Sequence, residues 1–322
     1  MTARRETFFL PYSAGTGEWR QRGQDEGRCN LWQIIPDIHG DNDRLERSLA
    51  MAKDARSAFL GDFIDASEKV TAPDDAAVLR RIRTLVENEG AVAVMGNHEL
   101  NAILYHRRGT DGHPLRKRSD KNAAQHASFL ARFGTETPEA LDWTDWFLTL
   151  PLWLDLGGLR LVHACWSDPH VALVAERRPD ARLQAEDLEE IAQESSAFGR
   201  AVKTLVSGPE AQLPAGASFL DFGRHRREEV RLAWWRSDAR TWRGAVLSVP
   251  DPSELPDALL PGDIQATIYP DDAAPVLVGH YKMAGLPELE AANAACLDYP
   301  SSPCVYHWRG EPQLLGSNLL IL

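Results

Sequence analysis

Five short apolar runs in this chain each stop at a small or turn-forming residue and are followed at once by side chains of the metal-ligating kind. Residues 31–35 precede Asp37-Ile38-His39-Gly40, residues 57–60 precede Gly61-Asp62-Phe63-Ile64-Asp65, and residues 91–95 precede Gly96-Asn97-His98-Glu99. Residues 159–162 precede His163-Ala164, and residues 276–278 precede Gly279-His280. An apolar run this short, bounded by turn signals, reads as a buried strand. Ligands of open α/β sheets sit beyond the carboxyl ends of the strands, so five such ends can converge on one point. Asp37 and His39, two apart on an extended segment, project to the same side. Gly61, Gly96 and Gly279 let the chain turn sharply and come close to a bound group.

The segments between these runs read as helices. Leu45, Leu49 and Ala52 follow Asp41 at helical spacing, and Asp41 reads as the cap. Pro73-Asp74 opens a helix carrying Leu79, Ile82 and Val86, which Gly90 ends. Strand–helix alternation predicts an α/β layered fold with helices covering a sheet. Residues 120–150 read as helical, with Thr137-Pro138-Glu139 opening a helix that ends before Pro151. Residues 152–156 and 159–162 form a hairpin across Gly157-Gly158. Residues 183–206 read as one amphipathic helix with Leu188, Ile191, Phe198, Val202 and Leu205 inward, and residues 249–275 as loop. Closing strands are expected at 294–297, 303–308 and 314–321. With 322 residues and no internal repeat, the chain reads as a single domain over 31–322. It carries a helical and loop insertion at about 171–275 and an irregular lead-in over 1–30.

Composition excludes some functions. Lys+Arg number 35 and Asp+Glu 47, a net charge of −12, so general nucleic-acid binding is not expected. No apolar stretch approaches the ~20 residues of a membrane-spanning helix, and Phe8-Phe9-Leu10 is too short for a signal-peptide core. The expected location is the cytoplasm. Cys29, Cys165, Cys296 and Cys304 form no CxxC pair, which suits a reducing compartment. Cys296 and Cys304 read as two buried thiols rather than a bridge, and Cys165 as a small buried side chain near His163.

The candidate ligands are Asp37, His39, Asp62, Asn97, His163 and His280. They mix hard oxygen with imidazole nitrogen and include no thiolate, a set that suits manganese, iron or zinc and suits calcium poorly. Six exceed the needs of one catalytic zinc with three protein ligands. They fit two divalent metal ions with one carboxylate between them. One such motif alone is a weak sign, because Asp and His are common in loops. Five in fixed order, each at a strand end, are a strong one.

Taken together, D-x-H-G, G-D-x-x-D, G-N-H-E, a strand ending in H-A, and G-H resemble the calcineurin-like metallophosphoesterases over most of residues 31–310. Glu99 after His98, and Lys282 in place of a second histidine after His280, resemble the phosphoprotein-phosphatase branch. The segment 232–238, with Trp234-Trp235-Arg236-Ser237-Asp238, is similar to that branch's LLWSDP stretch. The resemblance implies a central β-sandwich flanked by helices. It implies Asp37, His39 and Asp62 on a first metal ion, and Asp62, Asn97, His163 and His280 on a second, Asp62 bridging. Manganese is the first expectation, with iron or zinc as alternatives. His98 then matches the proton donor to the leaving oxygen, and Asp65 the carboxylate that orients it. The implied reaction is hydrolysis of a phosphomonoester, a phosphoprotein among the candidates, by a hydroxide that bridges the metals. Two rivals are a dinucleoside-polyphosphate or nucleotide phosphodiester hydrolase, and a scaffold that has lost activity. The broken-ligand pattern of such a scaffold is not seen in these motifs.

One departure stands out. The family places a phosphate-gripping arginine directly after the residue matched by Asp65, and here Ala66-Ser67 follow. Arg236, Arg240 and Arg243 are the expected substitutes. The basic stretch Arg107, Arg108, Arg116, Lys117, Arg118 and Lys121 reads as a solvated loop, with attraction of an anionic substrate as the other reading. Trp143, Trp146, Phe147 and Trp153 read as core.

Overall fold

The computed structural model describes residues 31–67 and 69–322, so the expected lead-in and Cys29 lie outside the described residues. Strand β1 (Trp32–Ile35) runs into helix α1 (Asn42–Ala50), β2 (Arg56–Phe59), α2 (Asp75–Asn88), β3 (Val92–Ala93) and α3 (Asn97–His106). Asp41 and Asp74 cap α1 and α2 by accepting from the amides of Arg44 and Ala77, each at 2.9 Å. Helices α4 (Asp120–Gln125), α5 (Ala127–Phe133) and α6 (Pro138–Leu148) lead to the hairpin β4 (Trp153–Asp155) and β5 (Arg160–Val162). Gly157 and Gly158 turn that hairpin at φ 83° and 124°, the positive values a two-residue turn requires. Then come α7 (Asp168–Arg177), α8 (Leu188–Gln193), α9 (Ala197–Ser207), β6 (Glu210–Gln212), β7 (Phe219–Leu220), β8 (Arg226–Arg227) and β9 (Glu229–Leu232). The chain closes through α10 (Trp242–Ala245), β10 (Val246–Leu247), α11 (Gly262–Gln265), β11 (Val276–Val278), β12 (Ala294–Cys296), β13 (Cys304–Trp308) and β14 (Leu319–Ile321).

Two sheets form the centre. One has the order β14-β13-β1-β2-β3, with β1, β2 and β3 parallel; the other has the order β12-β11-β5-β4, with β11 parallel to β5 and β12. Alternation along each strand sorts side chains between two apolar layers. Trp32, Ile34, Ala58, Leu161, Leu277, Ala295 and Tyr306 meet between the sheets. Ile35, Phe59, Val162, Val278 and Val305 face the other way, into the layer shared with Leu45, Leu79, Ile103, Phe147, Phe198 and Leu205 of the helices. This is the expected α/β layered arrangement, a central β-sandwich flanked by helices. Trp143, Trp146, Phe147 and Trp153 are in that core.

Parts of the local reading need correction. Helices α3 and α7 were not expected. Residues 183–206 do not form one helix: Glu194 takes φ 48° after α8, and Ser196 starts α9 by accepting from the Gly199 amide at 3.0 Å. Strands β6, β9 and β10 build a small sheet, and β7 pairs with β8; neither pairing was expected in this part of the chain. Ala211, Leu213, Phe219, Val230, Leu232 and Trp242 form an apolar cluster of their own there. Cys165, Cys296 and Cys304 are free and buried. Among the described residues no helix is long and apolar enough to cross a membrane.

Ile34, fully buried between the sheets, is the test of this layering. Ile34→Ala should cost about 2–5 kcal/mol in urea unfolding, whereas Leu286→Ala, at a 71% exposed site, should stay within about 0.5 kcal/mol. Equal losses would refute the assignment of the inter-sheet layer.

Candidate metal centre

Parallel pairing carries the ends of β1, β2 and β3 to one edge of their sheet, and the ends of β5 and β11 reach the same place from the other. The loops are knitted there by backbone bonds. The amides of Ile38 and His39 donate to the Asp62 carbonyl at 3.0 and 2.9 Å, and the Gly279 amide donates to the His163 carbonyl at 2.9 Å. Asp62, only 2% exposed, lies at the middle. Its Oδ1 accepts from the His98 amide at 2.9 Å, in the first turn of α3. Its Oδ2 lies 3.3 Å from His163 Nε2 and 3.9 Å from both His39 Nε2 and His98 Nε2.

The other candidates surround that oxygen. Asn97 Oδ1 stands 2.9 Å from His163 Nε2 and 2.7 Å from His280 Nδ1. Asp37 Oδ2 stands 3.8 Å from His39 Nε2, and both Asp37 oxygens accept from the His280 amide at 3.1 and 3.0 Å. His39 and His163 direct Nδ1 at the carbonyls of Ile64 and Leu60, at 3.1 and 2.7 Å. A carbonyl can only accept, so these contacts fix the proton on Nδ1 and leave Nε2 as a free donor atom. Among the described residues, His39 Nε2 and His280 Nε2 are buried without a hydrogen-bond partner. Two groups of metal-type side chains result, His39–Asp62–His98 and Asp62–His163–His280, with Asp62 common to both. Such crowding fits cations: two ligands about 2.1 Å from one ion at a right angle stand about 3 Å apart.

Charge is distributed accordingly. Burial alone would raise Asp62, but the imidazoles of His163 and His98 hold it well below the usual carboxylate range. Burial, with His98 beside it, pushes His39 down to about 4. Burial and His163 likewise keep His280 well below normal. Burial opposes protonation of His163, yet Asp62 and Asp37 push it up to about 10. A cation on the same atoms would offset the negative charge that raises His163. Burial also opposes protonation of His98, and Asp62, Asp65 and Glu99 push it up to about 9. His98 Nδ1 pairs with Asp65 Oδ2 at 2.7 Å.

Backbone conformation is strained here. His39, Asp62, Asp65 and His280 take φ of 48°, 52°, 68° and 73°, a region that side chains bearing a Cβ rarely occupy. Close approach also demands glycine. A Cβ on Gly96 would stand 2.5 Å from the Asp62 amide nitrogen, and one on Gly279 would stand 1.9 Å from Asp37 Oδ1.

Sequence reasoning missed what Glu99 does. Its buried carboxylate accepts from the amides of Asp62, Phe63 and Gly96 at 2.8, 2.8 and 3.0 Å, tying the second motif to the third. It also missed His126, 61 residues from Asp65, whose Nδ1 lies 2.7 Å from Asp65 Oδ1. Ala66, in the arginine's place, donates its amide to Ser128 Oγ at 2.9 Å.

The expected substitute arginines are not brought to the site. Arg236 pairs with Glu290 at 2.7 Å. Arg240 donates to the Ser237 carbonyl at 2.7 Å, and Arg243 to that of Leu255 at 3.1 Å. The basic stretch is largely a loop, with Arg108, Lys117 and Lys121 exposed, but several of its arginines are engaged. Arg107 pairs with Asp145, and Arg108 and Arg118 with Glu136. Arg116 differs. It lines a cavity of about 110 Å³ with Asp65, Asn97 and His98, and among the described residues its guanidinium donates to the neutral side chains of Gln125 and Asn122, at 2.9 and 3.3 Å.

A family model described as calcineurin-like phosphoesterase matches residues 34–199. No curated protein matches the chain. Among solved structures, a protein serine/threonine phosphatase from Saccharomyces cerevisiae with similarity to human phosphatase PP5 is 13% identical. There 92% of this chain covers 80% of that one, at a TM-score of 0.48. A cold-active protein-tyrosine phosphatase of a psychrophile Shewanella species is 12% identical over 99% of this chain and 91% of that one, at 0.43. A metallophosphoesterase from Sphaerobacter thermophilus is 22% identical over 42% and 48%, at 0.29.

The demand for glycine can be tested directly. Gly279→Ala should cost about 1–3 kcal/mol by overpacking, while Gly316→Ala, with nothing within 4 Å, should change urea unfolding by less than about 0.5 kcal/mol. Tolerance at Gly279 equal to that at Gly316 would refute the close approach to Asp37.

Proposed function

The chain belongs to the calcineurin-like phosphoesterase family, and we propose that it uses two divalent metal ions to hydrolyse a phosphomonoester. It is a phosphoester hydrolase by that membership. The observation that carries the finer reading is the sharing of one Asp62 carboxylate between two groups of metal-type side chains. Asp37, His39 and Asp62 would hold the first ion. Asp62, Asn97, His163 and His280 would hold the second. When bound, such ions bring the pKa of a water near neutrality and offset charge on the phosphoryl oxygens.

The chain's own residues do the rest. His98 stands as near Asp62 Oδ2 as His39 does, yet it is assigned to proton transfer rather than to ligation. Its Nδ1 is engaged by the Asp65 carboxylate, where His39 and His163 turn Nδ1 to backbone carbonyls, and the carboxylates of Asp62, Asp65 and Glu99 favour its protonated form. His98 therefore gives its Nε2 proton to the leaving oxygen, and Asp65 orients the ring for that transfer. Arg116, beside His98 and without a carboxylate partner among the described residues, supplies fixed positive charge to the phosphoryl group.

Assays of para-nitrophenyl phosphate, its bis-ester, a phosphopeptide and diadenosine tetraphosphate, each with manganese, test the substrate class. A kcat/KM on the bis-ester or the dinucleotide above that on every monoester overturns the monoester reading. Elemental analysis of protein expressed with manganese should approach two equivalents, and Asp62→Ala should lose both ions. Retention of one full equivalent sinks the shared-carboxylate assignment. Arg116→Ala should lower kcat/KM about ten- to a hundredfold at unchanged metal content, as expected for one charge-assisted hydrogen bond of about 1.5–3 kcal/mol. An unchanged kcat/KM removes Arg116 from the site.

A further inference from the structure

Two buried imidazoles lie behind the His98–Asp65 pair, and the reaction as derived makes no use of them. His126 and His106 are 5% and 2% exposed. Their Nε2 atoms are 3.2 Å apart. His126 Nδ1 reaches Asp65 Oδ1 at 2.7 Å, while Asp65 Oδ2 reaches His98 Nδ1 at 2.7 Å. At the far end the Glu136 backbone amide donates to His106 Nδ1 at 3.0 Å. His98 and His106 belong to the same helix, α3, and His126 stands at the junction of α4 and α5.

These contacts admit one assignment of protons. A backbone N–H can only donate, so His106 Nδ1 is the accepting nitrogen and its proton is on Nε2. Burial first, then His126 and Arg118, pushes His106 down to about 4, so the ring is neutral. Its Nε2–H points at His126 Nε2, which must then be unprotonated. The His126 proton is therefore on Nδ1 and is donated to Asp65. Phe129 stacks on the His126 ring, 4.7 Å between centroids and 15° between planes, and fixes its orientation.

We propose that His126, held in its Nδ1–H form by His106, is the positioning residue that sets the Asp65 carboxylate and, through it, the angle at which His98 presents its proton. One Asp65 oxygen alone would leave the carboxylate free to rotate. With the second oxygen held by His126, the oxygen facing His98 has one place to be. This inference rests on the acid role assigned to His98.

Its test separates the two. In His126→Leu, turnover of phenyl phosphate or an alkyl phosphate should fall about tenfold more than turnover of para-nitrophenyl phosphate, because only poor leaving groups need the proton. KM and manganese content should stay within about twofold, since the loss is confined to the transition state. His126→Asn, whose side-chain N–H can occupy the place of Nδ1–H, should recover most of the difference. A leaving-group effect in His98→Asn, with none in His126→Leu, overturns the inference alone. Absence of the effect in His98→Asn overturns the acid assignment and this inference with it. A second measurement needs no variant: imidazole nitrogen NMR on the zinc-loaded protein should give the Nδ1–H form for His126 and the Nε2–H form for His106. The opposite forms would overturn the proposal even if the variants fail to fold.

Discussion

Asp62 has one carboxylate oxygen on the first turn of α3 and the other 3.3–3.9 Å from three imidazoles. A carboxylate this deeply buried is costly unless charge and hydrogen bonds offset its lost hydration. The fold supplies both. The end of β2 delivers the carboxylate, β3 delivers the helix terminus whose His98 amide donates to its first oxygen, and the ends of β1 and β5 deliver imidazoles to the second. Any one loop displaced would leave an unpaired buried charge. Meeting this demand fixes the relative positions of two sheets that share no backbone hydrogen bond between their named strands.

Glu99 meets a second demand of the same kind. Sharp turns after β2 and β3 leave amides with no ladder partner, and buried amides must be paired. Three of them end on the one Glu99 carboxylate. The left-handed φ values at His39, Asp62, Asp65 and His280 occur where each residue is held by hydrogen bonds of its own, His39 to Asp62 and Ile64, Asp62 to Glu99, Asp65 to His98 and His126, and His280 to Asp37. Strain of this sort persists only where the surroundings over-determine it. The rigid sandwich and the strained rim belong to one design, in which strand ends are immobilised so that their side chains need not search for position.

Much of this was legible in the sequence because it is local. Apolar runs bounded by turns gave β1, β2, β11 and the Gly157-Gly158 hairpin, and Asp41 and Asp74 marked their helices. What was illegible is long-range or lacks a stripe. Helix α3 begins at a glycine cap and buries Leu100, Ala102, Ile103, Leu104, Tyr105 and His106. It has no polar face to produce a period of 3.6. The opposite fault joined α8 and α9, since apolar spacing carries across a break that Glu194 makes with its backbone alone. His126 gave no signal, because a lone histidine in a helical stretch becomes informative only once Asp65 is beside it. The motif residues were found as members of a pattern. The residues that hold them in place were not, because their types are ordinary and their partners are distant in the chain.

Charge follows the same division between local reading and long-range fact. The chain carries a net charge of −12, which repels a phosphorylated substrate at distances within the reach of salt screening. Attraction must therefore be local. Along the sequence the stretch from Arg107 to Lys121 looks like the means of supplying it, yet Asp145 and Glu136 engage Arg107, Arg108 and Arg118. Asp145 lies in α6 and Glu136 just before it, so these pairs tie the basic stretch to α6 and to the turn that precedes it. Arg116 is left facing the cavity, held in place by amides that orient a guanidinium without cancelling its charge. Neutral partners leave more of that charge available to a ligand than a carboxylate would. The acids at 136 and 145 thus do two things at once. They pair with Arg107, Arg108 and Arg118, and they leave Arg116, which lines the cavity with His98, without a carboxylate partner among the described residues.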